Sequence, residues 1–363
     1  MPYPLLLHAK HRGADVTYQA FGEWMVPWHF ESTPREYETL RTGVGLLDYS
    51  MLALVEVQGA DRINFLQNLL TNDIKRLEPG AGCPAALLDA SGHLITDLLV
   101  FVEPEAVWLL CDATQAAAVT QTLERYVFSE QVSLTNHERR QAVLALQGPR
   151  TIECLIQLLG RVVSLPSAGD HVTASFQGLP ARIIRHTLTG DVGALCLCDG
   201  AHAEPLWDLL ASRGTAFGLR LVGWEALNIA RIETGIPMYG IDMDHTNLLP
   251  ETGLERVAVS ATKGCYVGQE IIARMETQGS ANKKLMALVL EGEESAVAGD
   301  RLVQGELEVG RITSACWSLG LNRPIAMGYV KRPAYEPGTM VDVLRADRRI
   351  LARVSPRPFI PHK

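Results

Sequence analysis

The stretch 262–270 places a lysine, a cysteine and a tyrosine within four residues, at Lys263, Cys265 and Tyr266, with glycine on both sides of the cysteine. Glycine permits backbone conformations that a Cβ hinders, so this pattern predicts a tight turn that leads into a helix. The partial positive charge of a helix start, together with Lys263, would favour the thiolate of Cys265. The alternative is a buried cysteine in an ordinary turn, because free cysteine is among the most buried residue types.

Asp97 is the second residue whose type and position could do chemistry. It stands in the middle of the apolar run LITDLLVFV at 94–102. A carboxylate in such a strand costs free energy unless it is hydrogen-bonded or paired. Two interpretations follow: a functional acid, or a carboxylate satisfied by neighbouring backbone or by an arginine.

The cysteines and histidines do not have the spacing of a metal site. Seven cysteines are scattered along the chain without a repeated CxxC, an odd number that indicates reduced thiols in a cytoplasmic protein. Cys196 and Cys198 alternate on an apolar strand and are expected to be core thiols rather than a metal pair. We therefore predict no bound metal.

Composition restricts the class of protein. A chain of 363 residues suggests two or three domains, and 47% hydrophobic with 20% charged residues is ordinary for a globular protein. The net charge of −8 argues against a nucleic-acid partner. Neither a secretory signal nor an apolar run long enough to span a bilayer is found, so no membrane association is expected.

The elements that must position Asp97 alternate between strands and helices. The predicted order is a strand at 52–57, a helix opened by Asp61 and ended by Gly80, strands at 94–102 and 107–111, and a helix capped by Asp112. With hairpin-length turns, this order suggests a ferredoxin-like α+β unit. The long segment 238–257 reads as an ordered loop of the functional kind, and short strands from residue 285 onward predict a separate β-barrel.

The spelling KGCYVGQE at 263–270 resembles the signature of the YgfZ family, and the likeness continues through Arg274 and residues 281–283. Members of that family are folate-binding proteins related to the glycine-cleavage T protein (aminomethyltransferase) and implicated in iron–sulfur protein assembly or repair. The resemblance implies tetrahydrofolate, or a one-carbon derivative of it, as the cofactor. It also implies iron–sulfur client proteins as partners.

Other segments resemble the T protein itself: LRTGVGLLDYS at 40–50, ALQGP at 145–149 and TSACWSLGLNRPIAMGYV at 313–330. The T-protein motif GGIxDDLIV matches residues 92–100 and places that family's catalytic aspartate on Asp97, beside the pterin nitrogens. Two T-protein positions differ, since an acid and an arginine that hold the cofactor are Leu195 and Leu227 here. Losing those charge-assisted contacts argues against ordinary aminomethyltransferase activity.

The resemblance implies two sets of site residues. The catalytic set is Asp97, Cys265, Lys263 and Tyr266. The folate-contacting set is Asp97, Leu52, Trp108, Asp191, Arg231 and Tyr239. Within it, Trp108 stands where the T protein has a pterin-contacting aromatic residue, and Asp191 is included as a candidate to replace the acid that is lost.

We therefore predict an α+β, three-domain cloverleaf ring of the T-protein and YgfZ type, with a ferredoxin-like middle domain and a C-terminal β-barrel. The predicted divisions are 1–52 and 141–240 for the first domain, 53–140 for the middle domain, 241–284 for the central loop and motif, and 285–363 for the barrel. Folate would occupy the central hole, with Asp97 and Cys265 at opposite edges. The expected role is maintenance of iron–sulfur proteins, the alternatives being a folate-dependent one-carbon transferase and a non-catalytic folate-binding adaptor.

Overall fold

The structure is a computed structural model that describes residues 2–11, 16–137, 140–278 and 281–360. Its helices are α1 (His8–His11), α2 (Thr33–Thr42), α3 (Arg62–Leu69), α4 (Ala116–Glu124), α5 (Thr151–Leu159), α6 (Ala203–Gly214), α7 (Trp224–Glu233), α8 (Leu249–Thr252), α9 (Glu255–Ala258) and α10 (Gln269–Gln278). Short 3-10 turns cover Ile74–Arg76, Ala113–Gln115, Gly200–His202 and Thr215–Phe217.

The strands form three open sheets and a barrel. In chain order they are β1 (Tyr3–Pro4), β2 (Thr17–Phe21), β3 (Trp24–His29), β4 (Val44–Asp48), β5 (Leu52–Gln58), β6 (Gly82–Leu88), β7 (Leu94–Val102), β8 (Ala106–Asp112), β9 (Ser133–Asn136), β10 (Gln141–Gln147), β11 (His171–Phe176), β12 (Leu179–Arg185), β13 (Gly193–Asp199), β14 (Leu219–Leu221), β15 (Lys283–Leu290), β16 (Arg301–Gln304), β17 (Leu307–Ser318), β18 (Arg323–Lys331), β19 (Met340–Arg345) and β20 (Arg348–Ser355).

Asp97 belongs to a five-stranded antiparallel sheet with the order β6-β7-β8-β5-β9. Helix α3 lies between β5 and β6 in the chain, α4 lies between β8 and β9, and both contact this sheet. This is the ferredoxin-like arrangement expected from the sequence, with β6 added at one edge. The alternation of apolar residues explains it, because one face of β5, β7 and β8 is buried under the two helices.

A six-stranded sheet, β11-β12-β13-β10-β4-β14, takes strands from both sides of the five-stranded unit. Strand β4 precedes that unit and β10 follows it, and the two pair antiparallel from Leu144↔Asp48 to Gln147↔Gly45. A small sheet, β1-β3-β2, lies at the N-terminus. The first unit is thus assembled around the ferredoxin-like insertion, as predicted.

The C-terminal strands close into a barrel with the order β15-β18-β17-β16-β19-β20. Its interior is apolar, and Leu288, Ile312 and Val330 are buried in one cluster. The barrel expected from the short strands and turn residues is therefore confirmed. In the part of the chain that the structure describes, no helix has the length and apolarity needed to cross a membrane.

The loop that follows α7 joins the barrel to the rest of the molecule. Asp242 is buried, pairs with the Arg231 guanidinium, and accepts hydrogen bonds of 2.6 Å from the hydroxyls of both Thr313 and Ser314 on β17. The segment 238–257, predicted as a loop, also contains the one-turn helices α8 and α9. Its first half is held in a fixed position against the ferredoxin-like sheet, because the amide of Leu94 donates to the carbonyl of Asn247.

Candidate functional site

A cavity of about 310 Å³ opens where the β2–β3 turn, the end of β8 and the loop after α7 meet. The described residues that line it are Phe21, Gly22, Glu23, Trp24, Met51, Asp112, Thr114, Gln115, Met238, Tyr239, Gly240, Ile241, Asp244 and His245. The wall includes the aromatic rings of Phe21, Trp24 and Tyr239 and the carboxylates of Glu23, Asp112 and Asp244. Such a combination suits a flat, polar ligand that needs hydrogen-bond acceptors.

Asp97 is half-buried in the middle of β7 and lies next to this cavity rather than on its wall. It pairs with Ala86 across β6, so the two side chains share one face of the sheet. Ala86 in turn belongs to a buried cluster that includes Met243 and has Tyr239 packed against it. Burial, with a smaller contribution from the negative charge of Asp112, raises the pKa of Asp97 to about 6.

Tyr239 and Tyr49 complete the surroundings of Asp97. Burial raises the pKa of Tyr239 to about 12, and the charges of Asp244 and Asp97 add to this effect. Tyr49 stacks on Trp224 with ring centroids 5.2 Å apart and an interplanar angle of 7°. Its pKa is also raised by burial, with Asp112 and Asp97 contributing. The predicted contacts Asp97 and Tyr239 are therefore brought together.

The KGCYVGQE stretch packs on the edge of the same sheet. Tyr266 is buried in the cluster that contains Ala86 and Met243, and α10 begins at Gln269, as the turn-to-helix prediction required. Gly268 has φ +82°, and a Cβ there would lie 2.7 Å from the carbonyl oxygen of Asp89, so this position requires glycine. Because it packs in this cluster, Tyr266 lies close to the cavity.

Cys265 is exposed, which contradicts the interpretation of a buried thiol in an ordinary turn. All seven cysteines are free thiols, and Cys265 is the most exposed of them. Among the described residues that line the cavity, however, Cys265 is not found. The expectation that its thiol stands at one edge of the cavity stays a prediction.

Lys263 does not have the position that its predicted role requires. Its ammonium is buried and donates to the carbonyl oxygens of Gln67 at 2.6 Å, Asn72 at 2.8 Å and Leu70. These carbonyls are at the C-terminal end of α3 and just after it, where a cation satisfies unpaired acceptors. Burial lowers the pKa of Lys263 to about 8. The lysine therefore fixes the stretch to α3, with its ammonium bound to backbone carbonyls.

Trp108 is likewise placed away from the cavity. Its ring lies in the interface between the two large sheets, with the guanidinium of Arg182 4.8 Å from the ring centroid and the Phe101 ring stacked at 6.4 Å. Its indole N–H donates to Glu103 at 3.2 Å. This geometry does not show the predicted contact between Trp108 and folate, because the neighbouring sheet covers the ring.

Two other predicted contacts are engaged in ion pairs. Asp191 pairs with Arg41 at 2.8 Å. Arg231 is buried, pairs with Asp242 and donates to the Ser314 hydroxyl at 2.7 Å. Its guanidinium thus serves the junction with the barrel rather than the cavity. Leu52 on β5 is half-buried and stands opposite Asp112 of β8, and its contact with folate stays a prediction.

The two positions that differ from the T-protein pattern are apolar and buried. Leu195 on β13 and Leu227 on α7 are 0% and 2% exposed and belong to the same apolar cluster. The carboxylates near the cavity come instead from Glu23, Asp112 and Asp244. Sequence reasoning assigned Asp112 only as a helix cap. Its position at the end of an apolar strand was the one signal that could have indicated more.

Comparison with known proteins agrees with this architecture. Residues 7–263 match the GCVT N-terminal domain, and residues 283–360 match the glycine cleavage T-protein C-terminal barrel domain. An aminomethyltransferase of Corynebacterium aurimucosum is 29% identical over 359 residues, covering 97% of this chain and 96% of the relative. An aminomethyltransferase of Bacillus subtilis is 28% identical over 355 residues, covering 97% of both chains.

Among solved structures, the glycine cleavage system aminomethyltransferase T from Bartonella henselae superposes with a TM-score of 0.90. It is 23% identical and covers 100% of this chain and 99% of that chain, so the likeness is one of fold. The family match extends across both the N-terminal part and the barrel. The chain belongs to the glycine-cleavage T-protein family.

Proposed function

We propose that the protein binds tetrahydrofolate in the 310 Å³ cavity and transfers a one-carbon unit, as an aminomethyltransferase of the T-protein type does. The observation that supports this most directly is Asp97, an acid kept in an apolar strand beside the cavity with its pKa raised to about 6. A carboxylate with such a pKa accepts a proton effectively near neutral pH. The names of the relatives favour this function over iron–sulfur maintenance.

The residues present fit a reduced pterin. The pterin edge carries several N–H donors, and the cavity offers the carboxylates of Glu23, Asp112 and Asp244 as acceptors. Phe21 and Tyr239 supply aromatic surface for the flat ring. A cavity of about 310 Å³ is at the lower end of the range that small-molecule sites occupy.

When bound, tetrahydrofolate supplies the nitrogen that takes up the one-carbon unit. As a new C–N bond formed there, the bond between the transferred carbon and its donor would break, the donor would leave with the bonding electron pair, and Asp97 would accept the proton that the nitrogen loses. Tyr239, whose hydroxyl stays protonated across the neutral range because its pKa is about 12, orients ligand atoms by hydrogen bonding. The ring pair Tyr49 and Trp224 supports the wall behind them.

The test is a transfer assay combined with direct measurement of tetrahydrofolate binding. Asp97→Asn keeps the size of the side chain and removes the proton acceptor, so we expect transfer to fall about 100-fold or more while binding is largely retained. Asp342→Asn, an acid on barrel strand β19, is the matched control and should leave both unchanged. Full transfer by Asp97→Asn, or no folate binding by the unaltered protein, would exclude this function.

A second candidate function rests on the exposure of Cys265 within KGCYVGQE. An accessible thiol on the rim of a folate protein suits the YgfZ role, in which it would act as a redox thiol, a transient cluster ligand or a one-carbon acceptor for client proteins in the cytoplasm. None of the relatives described above has a name that refers to iron–sulfur proteins, so this stands second.

Rescue of iron–sulfur enzyme activity, in cells lacking the endogenous protein, tests the second candidate. Cys265→Ser should abolish rescue, and Cys83→Ser, which alters a half-buried thiol, should not. Loss of rescue confined to Cys265→Ser favours maintenance, whereas loss of transfer confined to Asp97→Asn favours the transferase. Complete function of both variants would leave the adaptor that needs neither side chain.

A further inference from the structure

Strands β7 and β8 bring a second carboxyl group to the face that carries Asp97. The two strands pair antiparallel as Leu99↔Leu110, Val100↔Leu109, Phe101↔Trp108 and Val102↔Val107. Asp97 stands two residues before Leu99, and Asp112 stands two residues after Leu110. Continued by two residues on each strand, this register brings Asp97 and Asp112 to facing positions, and because side chains alternate along a strand, the two carboxyl groups lie on one face.

Asp112 has its own reason to occupy that place. One of its carboxylate oxygens accepts from the amide of Thr114 at 2.8 Å and from the Thr114 hydroxyl at 2.5 Å. These bonds fix the carboxyl group at the start of the 3-10 turn and leave it lining the cavity. A cap requires only one acceptor oxygen, which an asparagine also provides. The negative charge is therefore not needed for the local fold.

We propose that Asp112 is a positioning residue for Asp97, so that a proton taken up by one of the two carboxyl groups is shared with the other. Two like charges on neighbouring strands disfavour each other, and one proton between them relieves the repulsion. The proton moves from one oxygen to another, and the total charge of the pair rises from −2 to −1 as the proton is bound. This inference rests on the proposed function only where the shared proton takes part in the transfer reaction.

Other groups around the pair have to be considered in any titration. Those whose charge acts on the two carboxyl groups or on the tyrosines beside them, or which line the same cavity, are Glu23, Tyr49, Arg231, Tyr239, Asp244 and His245. Burial raises the pKa of Asp112, while its bonds to Thr114 lower it. In the tested range near pH 6 the tyrosines stay neutral, because their pKa values are raised.

The experiment is a carboxyl-carbon NMR titration of the intact protein without ligand. The Asp97 signal is identified by its loss in Asp97→Asn. Asp112→Asn keeps the capping oxygen but removes the charge, so we expect the midpoint of Asp97 to fall by about one pH unit, a tenfold change in proton affinity. Asp199→Asn is the matched control, since Asp199 caps a 3-10 turn in the same way, accepting from Ala201 at 2.9 Å, at the end of β13.

An Asp97 midpoint that is unchanged in Asp112→Asn would overturn the proposal, as would an equal fall in Asp199→Asn. Coupling is reciprocal, so Asp97→Asn must lower the midpoint of Asp112 by a similar amount, which gives a second measurement. In the transfer assay, the acidic limb of the pH profile should move to lower pH in Asp112→Asn. If the unaltered protein shows no transfer, the proposed function fails, but the titration still tests whether Asp97 and Asp112 share a proton.

Discussion

The carboxylate of Asp97 lowers the stability of the fold. Such a cost is compatible with a functional role and is not expected of a purely structural residue. Its carboxyl group is placed where burial and Asp112 both oppose ionisation. Because its pKa is higher in the folded than in the unfolded chain, the folded state binds more protons between about pH 4 and pH 6. The contribution of Asp97 to the free energy of unfolding is therefore unfavourable at neutral pH, and this loss is recovered as pH falls through that window.

Asp97→Asn should raise the free energy of unfolding at pH 7 by about 2 kcal/mol, although the proposed function predicts a loss of transfer. The gain should shrink to near zero at pH 4, because the aspartate is then neutral as well. Urea denaturation of both proteins at the two pH values measures this difference. A variant less stable than the unaltered protein at pH 7 would show that the carboxylate is satisfied by partners after all.

The candidate site residues were recognisable from sequence only where the signal is local. A charged residue inside an apolar strand indicated Asp97, and the spelling of 262–270 indicated Cys265 as a candidate nucleophile. Asp112 was missed as a partner because the β7–β8 register, which brings it opposite Asp97, depends on long-range pairing. For Lys263, closeness in the sequence suggested an effect on Cys265, but its side chain reaches carbonyls nearly two hundred residues earlier in the chain.

At the scale of elements, Lys263 connects the KGCYVGQE stretch to α3. The last carbonyls of a helix have no partner within it, and here a buried ammonium satisfies three acceptors at once. Tyr266, three residues further, packs in the cluster under β6. The stretch is thus held at two points, and the thiol of Cys265 stands between them on a fixed turn.

Lys263→Met keeps the length of the side chain but leaves these carbonyls unpaired, so we expect a loss of about 2–3 kcal/mol in the free energy of unfolding. Lys75→Met, which removes an exposed lysine in the turn after α3, is the matched control and should change stability by less than about 0.5 kcal/mol. Chemical denaturation at pH 7 measures both. Equal, small effects would mean that the carbonyls find other partners.

The pH dependence of this contact has the opposite sign to that of Asp97. The pKa of Lys263 is lowered to about 8 in the folded chain, so the unfolded chain binds more protons between about pH 8 and pH 10.5. The free energy of unfolding should therefore rise with pH across that window in the unaltered protein relative to Lys263→Met. A flat difference between the two proteins from pH 8 to pH 10 would contradict the burial of this ammonium.

At the scale of the molecule, the barrel is attached through a small set of buried charges. Arg231 and Asp242 connect α7 and the loop after it to β17, and Glu233 accepts from the Ser318 hydroxyl at 2.6 Å and from the Arg41 guanidinium at 2.7 Å. Removing one partner of a buried pair leaves an uncompensated charge, which costs more than the pair contributes.

Arg231→Met should therefore lower the free energy of unfolding by about 3–5 kcal/mol, whereas Arg348→Met, which alters an exposed pair with Glu294 on the barrel, should have almost no effect. Calorimetry can also show whether the barrel melts separately once the junction is broken. A separate transition in Arg231→Met would support the predicted division of the chain at 285. A single transition at an unchanged temperature would argue against the junction as described.

The architecture was the part most open to prediction. Period-two patterns with turn residues indicated the barrel, and the alternation of strands and helices indicated the ferredoxin-like unit, because both signals arise within short windows. The junction was not accessible in this way. Arg231 and Asp242 contact Ser314, which belongs to a distant part of the chain. Their local sequence does not show whether these charged side chains form buried contacts within the protein or contact a ligand.

Helix α7 links the cavity wall to the barrel, since Trp224 at its start stacks on Tyr49 and Arg231 and Glu233 at its end hold β17. Over ten residues it spans about 15 Å, and each residue turns the helix by about 100°. A single inserted or deleted residue between these ends would swing one set of side chains away from its partners while leaving the other in place. The length of α7 therefore fixes the distance between two separate sets of contacts, and because eight of its ten residues are buried, the helix has little freedom to shift and compensate for a change in length.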